Sequence, residues 1–343
     1  MVAPTVLTDS VTTTTIPLSW SAPTGAAAGG TGLTITAYYL QYSFNGVSGW
    51  VDILNNIATT THPFVVPDDT KGYYFRIAAQ NIYDFQTTFS PSTATAVMAS
   101  SAPSTPATPT VALSATNVAI SWTAPTANNA LISAYRIKIQ RRVAGVLSDY
   151  VESVANCDGS RPSVVTNTQC SIPMSALLVS PYFLLRGDAI LAQVSAINSR
   201  GESAMSAPNA AGLLVQTVPD QMTAPTRLTT STATRFELDW AALTGTSTGG
   251  SAILSYFLEW DSGSTGATWS SIVGQSPFST ATTYSVTGNS SGLTAGATYG
   301  FRVSAYNIFG WGSTSTVSYL KAYQKPSAIA SVTTSVNSST GNL

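Results

Sequence analysis

Few residues of this sequence have the types and spacing that catalysis requires. His62 is the only histidine among 343 residues, so acid–base and nucleophile–base pairs built on imidazole have no second member. It lies in a Thr-rich stretch before Pro63, where we expect a loop. Asp68 and Asp69 are adjacent carboxylates in Val-Pro-Asp-Asp-Thr-Lys-Gly, a composition typical of a capped turn. No Gly-rich phosphate loop opens a helix. We therefore expect a non-enzyme without catalytic residues, cofactor or metal.

The two cysteines offer a different chemistry. Cys157 and Cys170 are the only cysteines and stand 13 residues apart. Two thiols alone do not complete a four-ligand zinc site, and His62 is distant in sequence. The spacing favours a disulfide that closes a small loop, with two reduced buried thiols as the alternative. Such a disulfide would contribute about 3 kcal/mol and would indicate an oxidising compartment.

Composition excludes several classes of protein. Charged residues make up only 8% of the chain and the net charge is -1, whereas globular proteins carry about 25% charged residues. Nucleic-acid binding needs a basic surplus, and disorder needs fewer apolar residues than the 44% found here. The most apolar stretch, residues 176–185, is half the length of a membrane-spanning helix and contains Pro181. We expect a folded protein with a neutral polar surface, no membrane span and no signal peptide, which favours glycosylation or dense assembly.

Three blocks of residues recur in the same order, about one domain length apart. The first contains Trp20, Trp122 and Trp240, which are separated by 102 and 118 residues. The second is a strand with alternating apolar residues that begins at Tyr38, Tyr135 and Tyr256. The third block reads Tyr73/Phe75/Ile77/Ala79/Asn81, Ile190/Ala192/Val194/Ala196/Asn198 and Tyr299/Phe301/Val303/Ala305/Asn307. These patterns predict two-sheet antiparallel sandwiches of about 100 residues each.

At these blocks the chain resembles fibronectin type III domains. Leu-x-Trp-x-x-Pro, Tyr-x-Leu/Ile and Tyr-x-Phe-x-Val-x-Ala-x-Asn are similar to the B, C and F strands of that family. Tyr73 and Tyr299 resemble the family's tyrosine corner, in which the hydroxyl anchors the E–F connection. The second repeat departs from the pattern, because Ile190 replaces the corner tyrosine. We expect the disulfide to replace it as the local tie.

The resemblance and the proline-rich linkers divide the chain. We predict an all-β fold of tandem immunoglobulin-like, fibronectin type III sandwiches arranged as a rod, because Pro-rich linkers are extended and stiff. The predicted domains are residues 1–101, 102–218 with the cysteine-containing insertion, and 219–325. Residues 326–343 then form the start of a fourth repeat or a strand exchanged with a neighbouring molecule.

Other surface features suggest partners. Tyr83, Phe85 and Phe89 in the first F–G loop, and Ile308, Phe309 and Trp311 in the third, are interface candidates that pack on a neighbouring linker, another subunit or a sugar ring. Asn289 and Asn337 begin N-glycosylation sequons. Arg186-Gly187-Asp188 resembles the cell-attachment tripeptide of some fibronectin type III domains, but it precedes strand F instead of lying at the F–G tip. We interpret it as a structural turn.

Three hypotheses of function follow. The first is a non-catalytic structural segment of an extracellular fibre or filament, assembled through domain contacts. The second is an adhesin or receptor ectodomain whose loops bind a surface protein or a glycan. The third is an accessory region of a secreted carbohydrate-active enzyme. The first is favoured by the repeats, the stiff linkers and the low charge, and all three imply an extracellular or cell-surface location.

Overall fold

The computed structural model describes residues 1–84, 88–210, 212–287, 292–323, 331, 333–335 and 338–340. Its contacts divide the chain into two compact units. The first unit contains residues 1–183 and 190–213, and the second contains residues 184–189 and 214–343. Two β-sandwiches lie in the first unit and a third lies in the second unit.

The first sandwich pairs a sheet of order β1-β2-β5 with a sheet of order β4-β3-β6-β7. All its strand pairs are antiparallel. Its strands are β1 Thr5–Val6, β2 Thr15–Ser19, β3 Ala37–Ser43, β4 Val51–Ile57, β5 Thr61–Val65, β6 Gly72–Gln80 and β7 Val97–Met98. Short 3-10 helices at Thr8–Ser10 and Gly25–Ala28 lie in its loops.

The second sandwich repeats this arrangement with sheets β12-β9-β8 and β11-β10-β13-β14. Its strands are β8 Thr110–Ser114, β9 Asn117–Ser121, β10 Ile132–Val143, β11 Val146–Glu152, β12 Gln169–Pro173, β13 Ala192–Asn198 and β14 Gly201–Glu202. Two short helices, α1 Pro162–Asn167 and α2 Met174–Leu177, flank β12. The insertion predicted between residues 152 and 170 thus contains α1.

The third sandwich consists of sheets β15-β16-β19 and β18-β17-β20-β21, with β22 also paired to β20. Its strands are β15 Thr226–Arg227, β16 Arg235–Asp239, β17 Ser255–Trp260, β18 Ser270–Val273, β19 Thr283–Thr287, β20 Thr298–Asn307, β21 Gly310–Trp311 and β22 Ser318–Lys321. A 3-10 helix at Gly245–Thr248 occupies the position of Gly25–Ala28 in the first sandwich.

The three cores contain the residues that the repeat predicted. Each tryptophan of the first block is at most 8% exposed, and Tyr38, Tyr135 and Tyr256 are buried beside them. The Trp20 and Tyr38 rings meet edge to face with centroids 5.4 Å apart, and Trp122 and Tyr135 do so at 5.1 Å. The register also repeats, since the residues facing the three tyrosines on strand F are Ala79, Ala196 and Ala305. The alternating pattern therefore identified the buried faces of the strands.

Both corner tyrosines tie the E–F connection to strand F. The Tyr73 hydroxyl donates to the Asp68 carbonyl at 2.6 Å and accepts from the Asp68 N–H at 3.0 Å. The Tyr299 hydroxyl accepts from the Thr294 N–H at 2.7 Å and donates to the Gly292 carbonyl at 3.3 Å. Each ring is at most 3% exposed.

The second sandwich ties this region differently from our expectation. Cys157 and Cys170 form a disulfide, and both side chains are buried. Cys170 lies near the start of β12, opposite Ile120, whereas the E–F connection follows the end of that strand. The disulfide thus fastens the α1 insertion to β12, and its expected role as a corner substitute was wrong. Tyr182 in the E–F connection is buried instead, and its hydroxyl contacts Ser153 Oγ at 2.6 Å.

His62 is also placed differently from the sequence expectation. It lies within β5, opposite Leu18, and not in a loop. Pro63 is tolerated beside it because β5 is an edge strand of its sheet. Burial lowers the pKa of the imidazole.

None of the helices in the described residues is long and apolar enough to cross a membrane. The residue boundaries of the three domains stay predictions, as does the interpretation of residues 326–343. The rod arrangement also stays a prediction.

Candidate functional site

An asparagine at the end of strand F, which is β6, β13 or β20, organises the same end of every sandwich. The B–C loops at this end join β2 to β3, β9 to β10 and β16 to β17. Asn81, Asn198 and Asn307 close the third sequence block. Each side chain donates from Nδ2 to a carbonyl of the B–C loop and accepts at Oδ1 from a backbone N–H two residues further on. The bonds are Asn81 to Ala28 at 2.9 Å and from Tyr83 at 2.9 Å, Asn198 to Ala127 at 3.0 Å and from Arg200 at 2.8 Å, and Asn307 to Thr248 at 2.9 Å and from Phe309 at 2.9 Å.

In the second sandwich this asparagine also holds the preceding linker. Asn198 Nδ2 donates to the Ser101 carbonyl at 2.8 Å. The Ser101 N–H donates to Asn128 O at 3.2 Å, and the Ser104 N–H donates to Thr126 O at 3.0 Å. Residues 101–104 thus lie along the B–C loop as a short added segment.

The third sandwich holds its linker by the same pattern. Asn307 Nδ2 donates to the Thr217 carbonyl at 2.9 Å. The N–H groups of Thr217 and Asp220 donate to the carbonyls of Gly249 and Ser247, each at 2.9 Å. An Asn, a B–C loop and an x-x-Pro-x linker therefore form one recurrent junction.

The F–G loop of the second sandwich reaches beyond its own linker. Arg200 Nε donates to Ser100 Oγ at 2.7 Å, and Arg200 Nη1 donates to the Thr8 carbonyl of the first sandwich at 2.9 Å. Asn129 Nδ2 donates to the carbonyls of Asp69 at 2.6 Å and Ala99 at 3.0 Å. Four hydrogen bonds from two side chains thus join the first two sandwiches within one unit.

The predicted interface residues of the F–G loops differ in how far they are exposed. Tyr83 is 78% exposed and Ile308 is 37% exposed, so both present apolar surface at the F–G tip. Phe309 and Trp311 are only partly exposed. Phe85 lies outside the described residues.

Phe89 packs on the outer face of the first C–F sheet instead of at a loop tip. Its ring lies 5.3 Å from that of Tyr39. The Arg76 guanidinium stands 4.4 Å from the Phe89 ring and 4.1 Å from the Trp50 ring. Arg76 Nε also donates to Gln41 Oε1 at 2.8 Å.

The third sandwich has a corresponding cluster, in which an arginine packs on an aromatic ring and bonds a polar side chain. Arg302 lies 4.0 Å from the ring of Trp269 and binds both carboxylate oxygens of Glu259, at 3.0 and 3.1 Å. Trp311 packs beside it in an aromatic cluster with Phe257, Tyr306 and Phe278. Phe278 is 53% exposed, so the cluster keeps one open edge.

The second sandwich replaces these aromatics with ion pairs. Arg136 contacts Glu152 at 3.2 Å and also pairs with Glu202. Arg141 binds Asp149 at 2.8 and 2.9 Å, which lowers the pKa of that carboxyl to about 2. Arg136 and Arg141 are thus paired with carboxylates at partly exposed positions, where each pair contributes little stability.

Arg186-Gly187-Asp188 forms a structural turn. Asp188 is 9% exposed, and its Oδ2 accepts from the Leu185 N–H at 2.7 Å. Arg186 is bidentate to Asp220, at 2.5 and 3.1 Å. Gly187 has a left-handed φ of +88°, and its N–H donates to Val215 O at 3.0 Å. The charged ends are engaged, so the tripeptide is not displayed as a receptor motif.

Asn289 and Asn337, the glycosylation candidates, lie outside the described residues. Among the described residues, no group of three or more His, Cys, Asp or Glu side chains is placed to hold a metal ion. The junction asparagines and Arg200 were missed as functional residues, although the asparagine stood at the end of the third block in every repeat.

Comparison with known proteins agrees with this geometry. The model of the fibronectin type III domain family matches residues 223–321, which contain the third sandwich. The first two sandwiches share its sheet order and register. Residues 223–321 therefore form a fibronectin type III domain, and the first two sandwiches have the same fold.

A solved structure, that of the chicken CNTN1 FN1–FN3 domains, also matches. It is 15% identical, the match covers 94% of this chain and 98% of that one, and the TM-score is 0.29. No curated protein matches the chain. The family match and the disulfide support an extracellular protein with a structural or adhesive role.

Proposed function

We propose that the chain is a non-catalytic structural segment of an extracellular or cell-surface fibre, assembled through contacts between its domains. The observation that carries the proposal is the recurrent junction. Linker segments pair with the B–C loops of the second and third sandwiches, and Arg200 and Asn129 fasten the first sandwich to the second. Domains whose junctions are fastened by hydrogen bonds suit a structural role better than a catalytic one.

The low charge supports the same proposal. With 8% charged residues and a net charge of -1, two copies meet little electrostatic repulsion. Exposed strand edges have few charges to block pairing with another chain. The low charge therefore allows close contact between copies of the chain.

Sedimentation velocity of the purified chain over a concentration series tests the proposal. We expect the weight-average mass to rise with concentration toward species larger than 35.6 kDa. A monomer at every concentration would contradict a self-assembling segment.

The alternative is an adhesin or receptor ectodomain, favoured by the cluster of Phe257, Phe278, Tyr306 and Trp311 with its open edge. Exposed aromatic surface is typical of partner or sugar contacts. Saturable binding of a glycan or surface protein by the monomer, lost in Phe278→Ala, would favour this function. An unchanged binding curve in that variant would exclude the cluster.

A further inference from the structure

The first strand of the second sandwich, β8, is a long edge strand. It pairs with β9 over all five of its residues, Thr110–Ser114. The corresponding strands of the other two sandwiches, β1 and β15, are two residues long. β8 stands at one edge of the sheet β12-β9-β8, so one of its two sides has no partner strand among the described residues.

The bonds of β9 show which way the backbone of this sheet points. The Trp122 N–H donates to the Thr168 carbonyl at 3.0 Å, and the Met174 N–H donates to the Thr116 carbonyl at 3.1 Å. Residues 116 and 122 flank β9, so its even-numbered positions bond toward β12. Because the bonding direction alternates along an antiparallel strand, the odd-numbered positions of β9 bond toward β8.

Two residues of β8 therefore direct their backbone groups outward. The partners of the odd-numbered residues of β9 are Thr110, Ala112 and Ser114. The N–H and carbonyl groups of Val111 and Leu113 point away from the sheet. Among the bonds of the residues that the structure describes, none uses these four groups. The β8 edge thus offers two donors and two acceptors in a row.

The other edges of the three-stranded sheets have features that prevent pairing with another chain. Pro63 lies within β5 and Pro173 ends β12, and neither has an N–H to donate. β15 contains Arg227, and the Arg235–Glu237 ion pair lies beside β19. Short strands, prolines and charges are the usual protection of a sheet edge.

The β8 edge has none of these features. Its sequence, Thr-Val-Ala-Leu-Ser, contains no proline and no charge, and no charged residue occurs between Asp84 and Arg136. Asp158 and Arg161 line a groove together with Ser114, but they pair with each other at 3.5 Å. The first, third and fifth side chains of β8 are short, polar or apolar, and exposed. Another strand can therefore approach this edge without meeting an unpaired charge.

We propose that β8 pairs with β8 of a second copy of this chain, antiparallel about a twofold axis at Ala112. The proposal rests on the proposed function and specifies one of its contacts. In this register Val111 faces Leu113 of the second copy, and the two residues exchange both N–H···O bonds. The same exchange occurs on the other side of the axis. The two three-stranded sheets then form one sheet of six strands.

The sequence of β8 is compatible with itself in this register. Two apolar side chains, Val111 and Leu113, face each other on the inner side of the sheet. Ala112 faces Ala112 of the second copy on the exposed side, and Thr110 faces Ser114. No like charges lie opposite each other. An isologous contact closes after two copies, so growth of a fibre needs a further contact.

A proline substitution tests the backbone bonds. Val111→Pro removes an outward N–H and keeps every bond between β8 and β9, because proline is tolerated where an edge N–H faces solvent. Sedimentation velocity of the full chain should show association at least about tenfold weaker. Ser171→Pro removes an outward N–H from β12, at the opposite edge of the same sheet, and should leave association unchanged. Both variants should keep the circular dichroism spectrum of the wild type.

A charge exchange at Ala112 tests the twofold axis without disturbing the backbone. Ala112 is exposed, and in the proposed pair its Cα lies about 4.5 Å from that of its counterpart. Ala112→Lys and Ala112→Glu each place like charges opposite each other and should weaken association at low salt. An equal mixture of the two variants should associate at least as strongly as the wild type.

Cysteine substitutions test the register. Ala112→Cys alone should form a covalent dimer under oxidation, and Ser114→Cys alone should not, because residue 114 faces residue 110. Ser114→Cys mixed with Thr110→Cys should form the dimer. The native disulfide is buried and serves as an internal reference that stays intact.

The outcomes separate the two proposals. Wild-type association that persists unchanged in Val111→Pro and in Ala112→Lys overturns the β8 contact and leaves the fibre proposal standing. A wild-type chain that stays monomeric at every concentration overturns both. Weakening by Ala112→Lys that is not reversed by mixing with Ala112→Glu, or cross-linking by Ser114→Cys alone, overturns the twofold register.

Discussion

At the residue scale, the disulfide is the strongest single constraint on the second sandwich. It joins residues 13 apart and fixes the α1 insertion against β12. Cys170 is buried opposite Ile120, the strand position that His62 and Tyr284 hold in the other two sandwiches. This position of the repeat is thus a histidine, a disulfide-bonded cysteine and a tyrosine in the first, second and third sandwiches.

Removing the disulfide should destabilise this sandwich by about 3 kcal/mol, the chain-entropy value for a loop of this size. The variant is Cys157→Ser with Cys170→Ser, and the measurement is hydrogen exchange of β9 and β12 across a denaturant series. Reduced wild type serves as the control and should match the variant. Equal protection in oxidised wild type and variant would contradict the prediction.

His62 should make the stability of the first sandwich depend on pH. Burial lowers its pKa in the folded state, whereas a histidine in the unfolded chain titrates near 6.5. The unfolded state therefore binds the proton first, and the free energy of unfolding falls as the pH drops below about 6.5.

The measurement compares wild type with His62→Tyr, the residue type of Tyr284, in urea unfolding between pH 7 and pH 5. The variant should lose less stability over this range, because its side chain does not titrate there. Identical pH profiles would show that the imidazole contributes nothing.

At the scale of elements, the E–F connection is held by buried tyrosine hydroxyls. Tyr73 and Tyr299 bond backbone groups of the connection, and Tyr182 bonds Ser153 in the second sandwich. The connection is thus held by a strand residue in the first and third sandwiches and by a residue of the connection itself in the second.

Tyr299→Phe should cost about 1 kcal/mol, because the Thr294 N–H loses its partner while the ring stays packed. Thermal unfolding followed by circular dichroism measures the loss. Tyr83→Phe, which removes a hydroxyl from an exposed ring, is the matched control and should leave the melting temperature unchanged. Equal melting temperatures for both variants would contradict the corner role.

The backbone at Gly159 passes close to the backbone of β10, which leads to a second prediction at this scale. A Cβ added to Gly159 would lie 1.8 Å from the Tyr135 carbonyl oxygen, and the Gly159 carbonyl accepts from the Tyr135 N–H at 3.0 Å. Gly159→Ala should therefore destabilise the second sandwich by about 3 kcal/mol. Gly212→Ala, where the nearest atom is 3.9 Å away, is the control. Chemical denaturation of both variants would show the difference, and equal midpoints would contradict it.

At the scale of the whole molecule, the repeat determined most of what sequence reasoning predicted correctly. Trp20, Tyr38 and Asn81 have fixed spacings because each occupies one place in a strand register, and alternation reveals which side of a strand is buried. The fold class, the buried tryptophans and the corner tyrosines follow from that periodicity.

The rest depends on pairings between distant segments. That Cys170 faces β9 and not the E–F connection, that Tyr182 bonds Ser153, and that Arg200 reaches Thr8 are consequences of tertiary packing with no local period. His62 was expected in a loop because Thr and Pro flank it, and edge pairing with Leu18 prevailed over that local preference.

We propose above all that these sandwiches form a structural segment that assembles through contacts between its domains. Electron microscopy of material from the native source, with intact-mass analysis of the same preparation, tests it most directly. The account predicts regular fibres whose axial repeat is set by the domains, together with a mass above 35.6 kDa if the sequons are glycosylated. Dispersed single particles that bind a ligand as monomers would contradict it.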